Sequence, residues 1–171
     1  MSKPTLYLFI GYPGAGKTTV AKIISHVTGA YHIWADMERH RLFNKPSHTE
    51  EESQELYEQL NDATTYLLSQ GRSVAFDTNF NFKSDREKLR KLADENNANT
   101  ILIWINTPIA VAKKRAVTIH TRNNYDEGMS EEQFNSIASK LEKPEKGEKV
   151  IKVDGTNLNQ EDLLNKLGVS T

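Results

Sequence analysis

A chain of 171 residues supplies enough apolar surface for one ordinary domain and leaves no room for a second full one. With 37% hydrophobic and 26% charged residues it reads as a polar globule, and no stretch reaches the length of a membrane span. A net charge of −1 excludes a global pull toward polyanions, and zero cysteines exclude disulfides and thiolate metal sites; since Met1-Ser2-Lys3-Pro4 leads straight into an apolar run without a signal-peptide pattern, a cytoplasmic location is expected.

Leu6 to Ile10 is a short apolar, β-prone run and predicts a buried strand. After a glycine-rich loop, helical spacing runs from about Lys17 to Thr28, where Gly29 stops it. Tyr31 to Trp34 reads as a second strand with Asp36 just beyond its end, and Met37 to Phe43 as a short helix terminated by Pro46. Thr49-Glu50-Glu51-Glu52 has the spacing of a capping box and opens a long polar helix whose apolar stripe is Leu56, Leu60, Ala63, Leu67 and Leu68, closed by Gly71.

Ser73 to Asp77 predicts a third strand ending in an acid, followed by the polar turn Thr78-Asn79-Phe80-Asn81. Ser84 to Glu87 has capping-box spacing and starts a basic helix through about Glu95. Thr100 to Ile105 is the most continuously apolar run and predicts an interior strand covered on both faces. Thr107-Pro108 caps and starts a helix carrying Lys113, Lys114 and Arg115. A loop over 123–128, a capped helix from Ser130 to about Leu141, an edge strand at Val150 to Val153 and a closing helix at Asn159 to Leu167 complete the chain. Strand and helix alternate throughout, which predicts a parallel sheet between helix layers.

The loop after the first strand carries the chemistry. Gly11-Tyr12-Pro13-Gly14-Ala15-Gly16-Lys17-Thr18 fits G-x-x-x-x-G-K-[ST], the phosphate-binding P-loop, in the strand–loop–helix context the motif requires. The glycines let successive N–H groups face inward and keep Cβ atoms away from a polyphosphate. Lys17 supplies a point charge for β- and γ-phosphates, Thr18 a hydroxyl for Mg²⁺, and Thr19 extends the set at the helix N-terminus. ATP and Mg²⁺ are the expected cofactors.

Parallel α/β sheets bind ligands at the carboxyl ends of their strands, and three more features fall there. Asp36 and Arg39 are three apart and share a face on a short helix. Opposite a γ-phosphate, the Asp can deprotonate an acceptor hydroxyl and the Arg can hold the acceptor or transferred group; otherwise the two form a surface ion pair. Asp77 can hold Mg²⁺ directly or through water, orient the P-loop lysine, or act as an ordinary turn acid. Arg115 and Arg122 are two helical turns apart and could close over ATP as a lid, at about residues 112–128, or form a solvated basic face.

The set Gly-x-Pro-Gly-Ala-Gly-Lys-Thr, then Asp36-x-x-Arg39, then Asp77-Thr78-Asn79-Phe80-Asn81 with Arg86 beyond, resembles P-loop kinases of the polynucleotide 5′-hydroxyl kinase type and the small zeta-toxin-like, AAA-type ATP-binding kinases grouped with them. The similarity spans about Leu6 to Arg122. It implies one three-layer α/β/α domain over residues 1–171, with a five-stranded parallel sheet in the order 2-3-1-4-5. It also implies that Asp36 is the general base, that Arg39 contacts the transferring or acceptor phosphate, and that Arg115 and Arg122 touch ATP. The Asp-Thr-Asn turn is shared with kinases of small alcohols, sugars and antibiotics, so it marks the clan better than the acceptor. Val153-Asp154-Gly155-Thr156 is similar to the start of a phosphatase domain fused to some of these kinases, but Lys152 stands where a nucleophilic Asp is needed, so it reads as a strand and turn.

The expected activity is transfer of the γ-phosphoryl group of ATP to a hydroxyl acceptor, with a nucleic-acid 5′ end placed first and a small metabolite (sugar, nucleoside or antibiotic) close behind. A nucleotide-dependent ATPase switch is the alternative from another class, and a toxin-like kinase a third. A GTPase is disfavoured because no N-K-x-D string occurs. The five histidines lack ligand spacing, and Trp34 and Trp104 read as core residues. Lys83, Arg86, Lys88, Arg90 and Lys91 could line a nucleic-acid groove, but Asp85 and Glu87 between them favour a solvated helix face.

Overall fold

The structure is a computed structural model that describes residues 2–118 and 128–169. Strands β1 (Thr5–Ile10), β2 (Tyr31–Trp34), β3 (Val74–Asp77), β4 (Asn99–Ile105) and β5 (Val150–Val153) form one sheet in the order β2-β3-β1-β4-β5. Every neighbouring pair is parallel, with Leu6 opposite Val74 and Thr100 across the centre. Helices α1 (Lys17–Thr28), α2 (Ala35–Leu42), α3 (Glu50–Ser69), α4 (Lys83–Glu95), α5 (Ile109–Thr118), α6 (Glu131–Ser139) and α7 (Gln160–Leu167) are those among the described residues. None is long and apolar enough to cross a membrane.

Side-chain alternation along β1 builds two cores. Leu6, Leu8 and Ile10 point to one face, where they meet Leu56 and Leu60 of α3 and Leu89 of α4. Tyr7 and Phe9 point to the other, against Val20, Ala21 and Ile24 of α1 and Leu163 of α7. A strand buried on both faces needs a continuous apolar run, which β1 and the interior strand β4 supply.

Three helix starts differ from the local pattern, each because a distant partner intervenes. Thr49 caps α3 by accepting the Glu52 N–H, but the Glu52 carboxylate does not return to Thr49; it turns to Ser47, His48 and Arg39. Helix α4 begins at Lys83 rather than behind a Ser84 cap, because the Lys83 N–H donates to Glu142 at 2.7 Å. Pro108 opens α5 through its carbonyl, which accepts from Val111 and Ala112, while the Thr107 hydroxyl reaches back to Ala15. The box at Ser130 and Gln133 forms in full. On α3, Thr64 replaces Ala63 in the buried stripe, its hydroxyl satisfied by the Leu60 carbonyl.

Helix α4 has the expected solvated outer face, with Glu87, Lys88 and Lys91 exposed, but its buried side carries charge as well as Leu89 and Ala93. Arg86 is fully buried and makes a two-bond ion pair with Glu148, at 2.9 and 2.8 Å, while its Nη1 donates to the Phe80 and Glu142 carbonyls. Arg90 shares Glu148, and Lys83 pairs with Glu145. The Arg86 guanidinium holds the Glu148 carboxyl at about 2 against the opposing effect of burial. Removing one partner of such a pair strands the other charge. Arg86→Ala is expected to cost about 3–5 kcal/mol in urea unfolding, and a loss under about 1 kcal/mol would contradict a structural role for the pair.

Candidate active site

The chain turns from β1 toward β2 on one side of the sheet and from β4 toward β5 on the other, so a crevice opens where β1 and β4 lie side by side. The P-loop follows β1 into this crevice and Thr107 follows β4. Thr107 Oγ1 donates to the Ala15 carbonyl at 2.8 Å, fastening the loop to the neighbouring strand. From the other side, Asn81 Oδ1 accepts the Gly11 N–H at 3.3 Å.

Gly14 sits at φ 78°, where a Cβ would lie 2.3 Å from the Ala112 carbonyl and 3.2 Å from the Arg115 Cβ. The loop is thus packed against α5, which only glycine permits. Gly155, in the turn after β5, closes the same corner: a Cβ there would meet Thr107 Oγ1 at 1.8 Å and the Ala15 carbonyl at 2.4 Å. Gly155→Ala must displace the P-loop, so it is expected to lose about 1–3 kcal/mol of stability and to weaken ADP binding. Gly147→Ala, where a Cβ meets nothing within 4 Å, is the control and should change neither. Calorimetry and ADP titration of the two variants check this; equal behaviour would contradict it.

Lys17 Nζ donates to the carbonyls of Gly11 at 2.9 Å and Tyr12 at 2.8 Å, folding over its own loop. Burial lowers the ammonium pKa to about 8, against the upward pull of Asp77 and then Asp36. That ordering places both carboxylates within electrostatic reach of Lys17, from the ends of β3 and β2 respectively. Asp77 is buried, 4% exposed, and its Oδ2 shares a hydrogen bond with His32 Nε2 at 3.0 Å. Asp36 is exposed in the first turn of α2, where the helix N-terminus favours a carboxylate.

Arg39, on the same helix, is buried, with Nη1 on Glu52 Oε1 and Nη2 on Ser53 Oγ at 3.2 Å. Beside it the Tyr57 hydroxyl and Thr78 Oγ1 lie 2.6 Å apart. Burial pushes the Tyr57 phenol up and the Thr78 bond opposes it; Asp36 and Asp85 push it further up, while Arg39 pulls it down. Asp36, Arg39, Tyr57 and Thr78 therefore form one cluster beside the P-loop lysine.

Arg115 Nη1 donates to the Gly155 carbonyl at 2.9 Å, so the arginine stands at the rim next to Gly14. Arg122, expected to share the nucleotide, lies outside the described residues, as does much of the expected lid. Thr18 and Thr19 take the first turn of α1, and Tyr12 and Pro13 the outer bend of the loop. Trp34 is only partly buried, with His32 stacked on it and Lys22 Nζ 5.0 Å from its ring centre. Trp104 likewise carries Lys152 over its face. The spacing of residues pointed to none of Glu52, Tyr57, His32, Thr107 or Gly155, since each acts through a partner far away in sequence.

The AAA domain family matches residues 6–144. The adenylyl-sulfate kinase of Prochlorococcus marinus is 26% identical, covering 96% of this chain and 84% of that protein. A sugar kinase structure from Janibacter superposes with a TM-score of 0.69 at 19% identity, covering 99% of this chain and 96% of that one. The APS kinase CysC of Mycobacterium tuberculosis, solved with AMPPNP and APS, superposes with a TM-score of 0.66 at 16% identity over 98% and 99% of the two chains. Fold, P-loop and a match that begins in β1 and runs beyond α6 establish that this chain belongs to the AAA domain family of P-loop proteins.

Proposed function

We propose that the chain is an ATP- and Mg²⁺-dependent kinase that transfers the γ-phosphoryl group to a hydroxyl of a small metabolite. The observation that carries this reading is a P-loop lysine after β1 with Asp36 and Asp77 at the carboxyl ends of β2 and β3, both near enough to raise its pKa. A phosphate-binding lysine with a helix-borne carboxylate at the same end of the sheet suits transfer to an alcohol, whereas a nucleotide switch needs no base.

In this reading the P-loop amides cradle the polyphosphate and Lys17 leaves its two carbonyls to meet the β- and γ-phosphates. Asp36 accepts the acceptor's hydroxyl proton as the new O–P bond forms and the bond from the γ-phosphorus to the bridging oxygen breaks, releasing ADP. Arg39 and the Tyr57–Thr78 hydroxyl pair line the acceptor side. Arg115, and Arg122 with it, would cover the nucleotide. A polar cavity of about 430 Å³ lined by Asn106, Pro108, Asp154 and Thr156 flanks Gly155 and offers space for the nucleoside half of ATP. A hydroxyl and a buried carboxylate are the hard oxygen donors Mg²⁺ prefers, so Thr18 and Asp77 would hold the ion with the phosphates; it would neutralise phosphate charge.

Support for the acceptor class shifts from a nucleic-acid end to a small molecule. Of the α4 cations that would track a phosphate backbone, Lys83, Arg86 and Arg90 are paired with Glu145 and Glu148. The relatives' names, adenylyl-sulfate kinase and sugar kinase, also denote small acceptors. Offering γ-labelled ATP with Mg²⁺ to a mixture of a 5′-hydroxyl oligonucleotide and small polyols tests this. Label is expected on the small-molecule fraction; label on the oligonucleotide would contradict the reading.

A further inference from the structure

We infer that the acceptor pocket is built for an uncharged polyhydroxy compound, and that Glu52 sets this preference by neutralising Arg39. The inference rests on the kinase reading and narrows it.

Arg39 is the cation that α2 directs to the acceptor cluster, and a free guanidinium there would suit a phosphate, sulfate or carboxylate on the acceptor. It is not free. Its Nη1 donates to Glu52 Oε1 and its Nη2 to Ser53 Oγ, and both Arg39 and Glu52 are 8% exposed. Glu52 is itself fixed in place: Oε2 accepts the Ser47 N–H at 2.5 Å and the Ser47 hydroxyl at 2.9 Å, while Oε1 also accepts the His48 N–H at 3.3 Å. An acceptor anion cannot simply displace a carboxylate held by three other hydrogen bonds. Burial opposes its ionisation, but the Ser47 N–H, Arg39 and the remaining donors hold the carboxyl at about 2, so it stays charged throughout the neutral range.

At Tyr57 the carboxylates of Asp36 and Asp85 push the phenol up and Arg39 pulls it down, but the guanidinium that would meet an anion is already held by Glu52 and Ser53. Arg41, on the same helix, is tied to Glu38 at 2.7 Å. An anionic acceptor would have to break the Arg39–Glu52 pair or meet Asp36 without it, and either costs affinity. A neutral polyol instead meets groups that exchange hydrogen bonds with hydroxyls: Tyr57, Thr78 and the Asp36 carboxylate.

The test compares pairs of acceptors that differ in charge: a hexose and its uronic acid, glycerol and glyceric acid, a nucleoside and its 3′-monophosphate. Phosphorylation by ATP is measured for each with the wild type, Glu52→Gln and the double variant Arg39→Gln/Glu52→Gln. The wild type is expected to favour the neutral member by about tenfold or more in kcat/KM. Glu52→Gln, which frees the guanidinium, should shift the ratio toward the anion by about tenfold, and the double variant should shift it back. Wild-type preference for the anionic members overturns the inference and leaves the kinase reading standing, and needs no variant to fold. A folded Glu52→Gln protein with an unchanged ratio removes Glu52 as the determinant. No transfer to any member while ATP still binds overturns the kinase reading and the inference with it.

Discussion

Replacing Lys17 by Met is expected to abolish ATP-dependent transfer, with kcat/KM falling by about 10³ or more. Methionine keeps the length of the side chain and removes the charge that would follow the γ-phosphate into the transition state. It also removes the two bonds from Nζ to the Gly11 and Tyr12 carbonyls, so a thermal melt must accompany the assay to separate lost charge from a loosened loop. A second signature distinguishes this lysine from a structural one. Its ammonium sits at about 8 in the free protein, below its ordinary 10.5, because burial disfavours the charged form. Polyphosphate binding favours the charged form and raises the pKa again. ATP affinity should therefore be greatest below pH 8 and fall by up to about tenfold per pH unit above it. The Met variant should lose that slope. An identical slope in both proteins would place the titrating group elsewhere.

Asp36→Asn is expected to leave ATP affinity at neutral pH near the wild-type value while cutting turnover by about 10² or more. The amide keeps the shape of the carboxylate at the start of α2 but cannot take the acceptor's proton. Because Asp36 also raises the pKa of Lys17, its removal should move the pH at which ATP affinity begins to fall downward. Steady-state kinetics and a pH series of nucleotide titrations check both arms. Normal turnover would remove Asp36 from the mechanism.

What the sequence made legible was local in origin. The β1 run, the glycine loop and the αL stop at Gly29 are dictated by neighbours in the chain, and the strand order is the one the kinase resemblance implies. The same locality explains the differences. Glu52 reads as half of a capping box three residues from Thr49, yet its carboxylate is claimed by Arg39, thirteen residues away. Thr107 reads as a helix cap, but its hydroxyl donates to Ala15 in the loop after the neighbouring strand. Arg86 reads as one member of a basic face, and only the return of the chain at Glu148 shows that it is buried. His32 lacks metal-ligand spacing, which says nothing of its bond to Asp77 on the adjacent strand. Fold class rests on periodicity, which one sequence displays; the wiring of the site rests on contacts between strand ends, which it does not.

The most direct test of the account follows the γ-phosphate of ATP in ¹⁸O-enriched water with Mg²⁺ and a mixture of neutral polyols, reading products by mass. The account predicts a phosphate ester of a small molecule that carries no ¹⁸O from the solvent, formed by the wild type and lost in Asp36→Asn. Inorganic phosphate containing one solvent ¹⁸O, released at the same rate with or without the polyols, would contradict it and mark the protein as an ATPase.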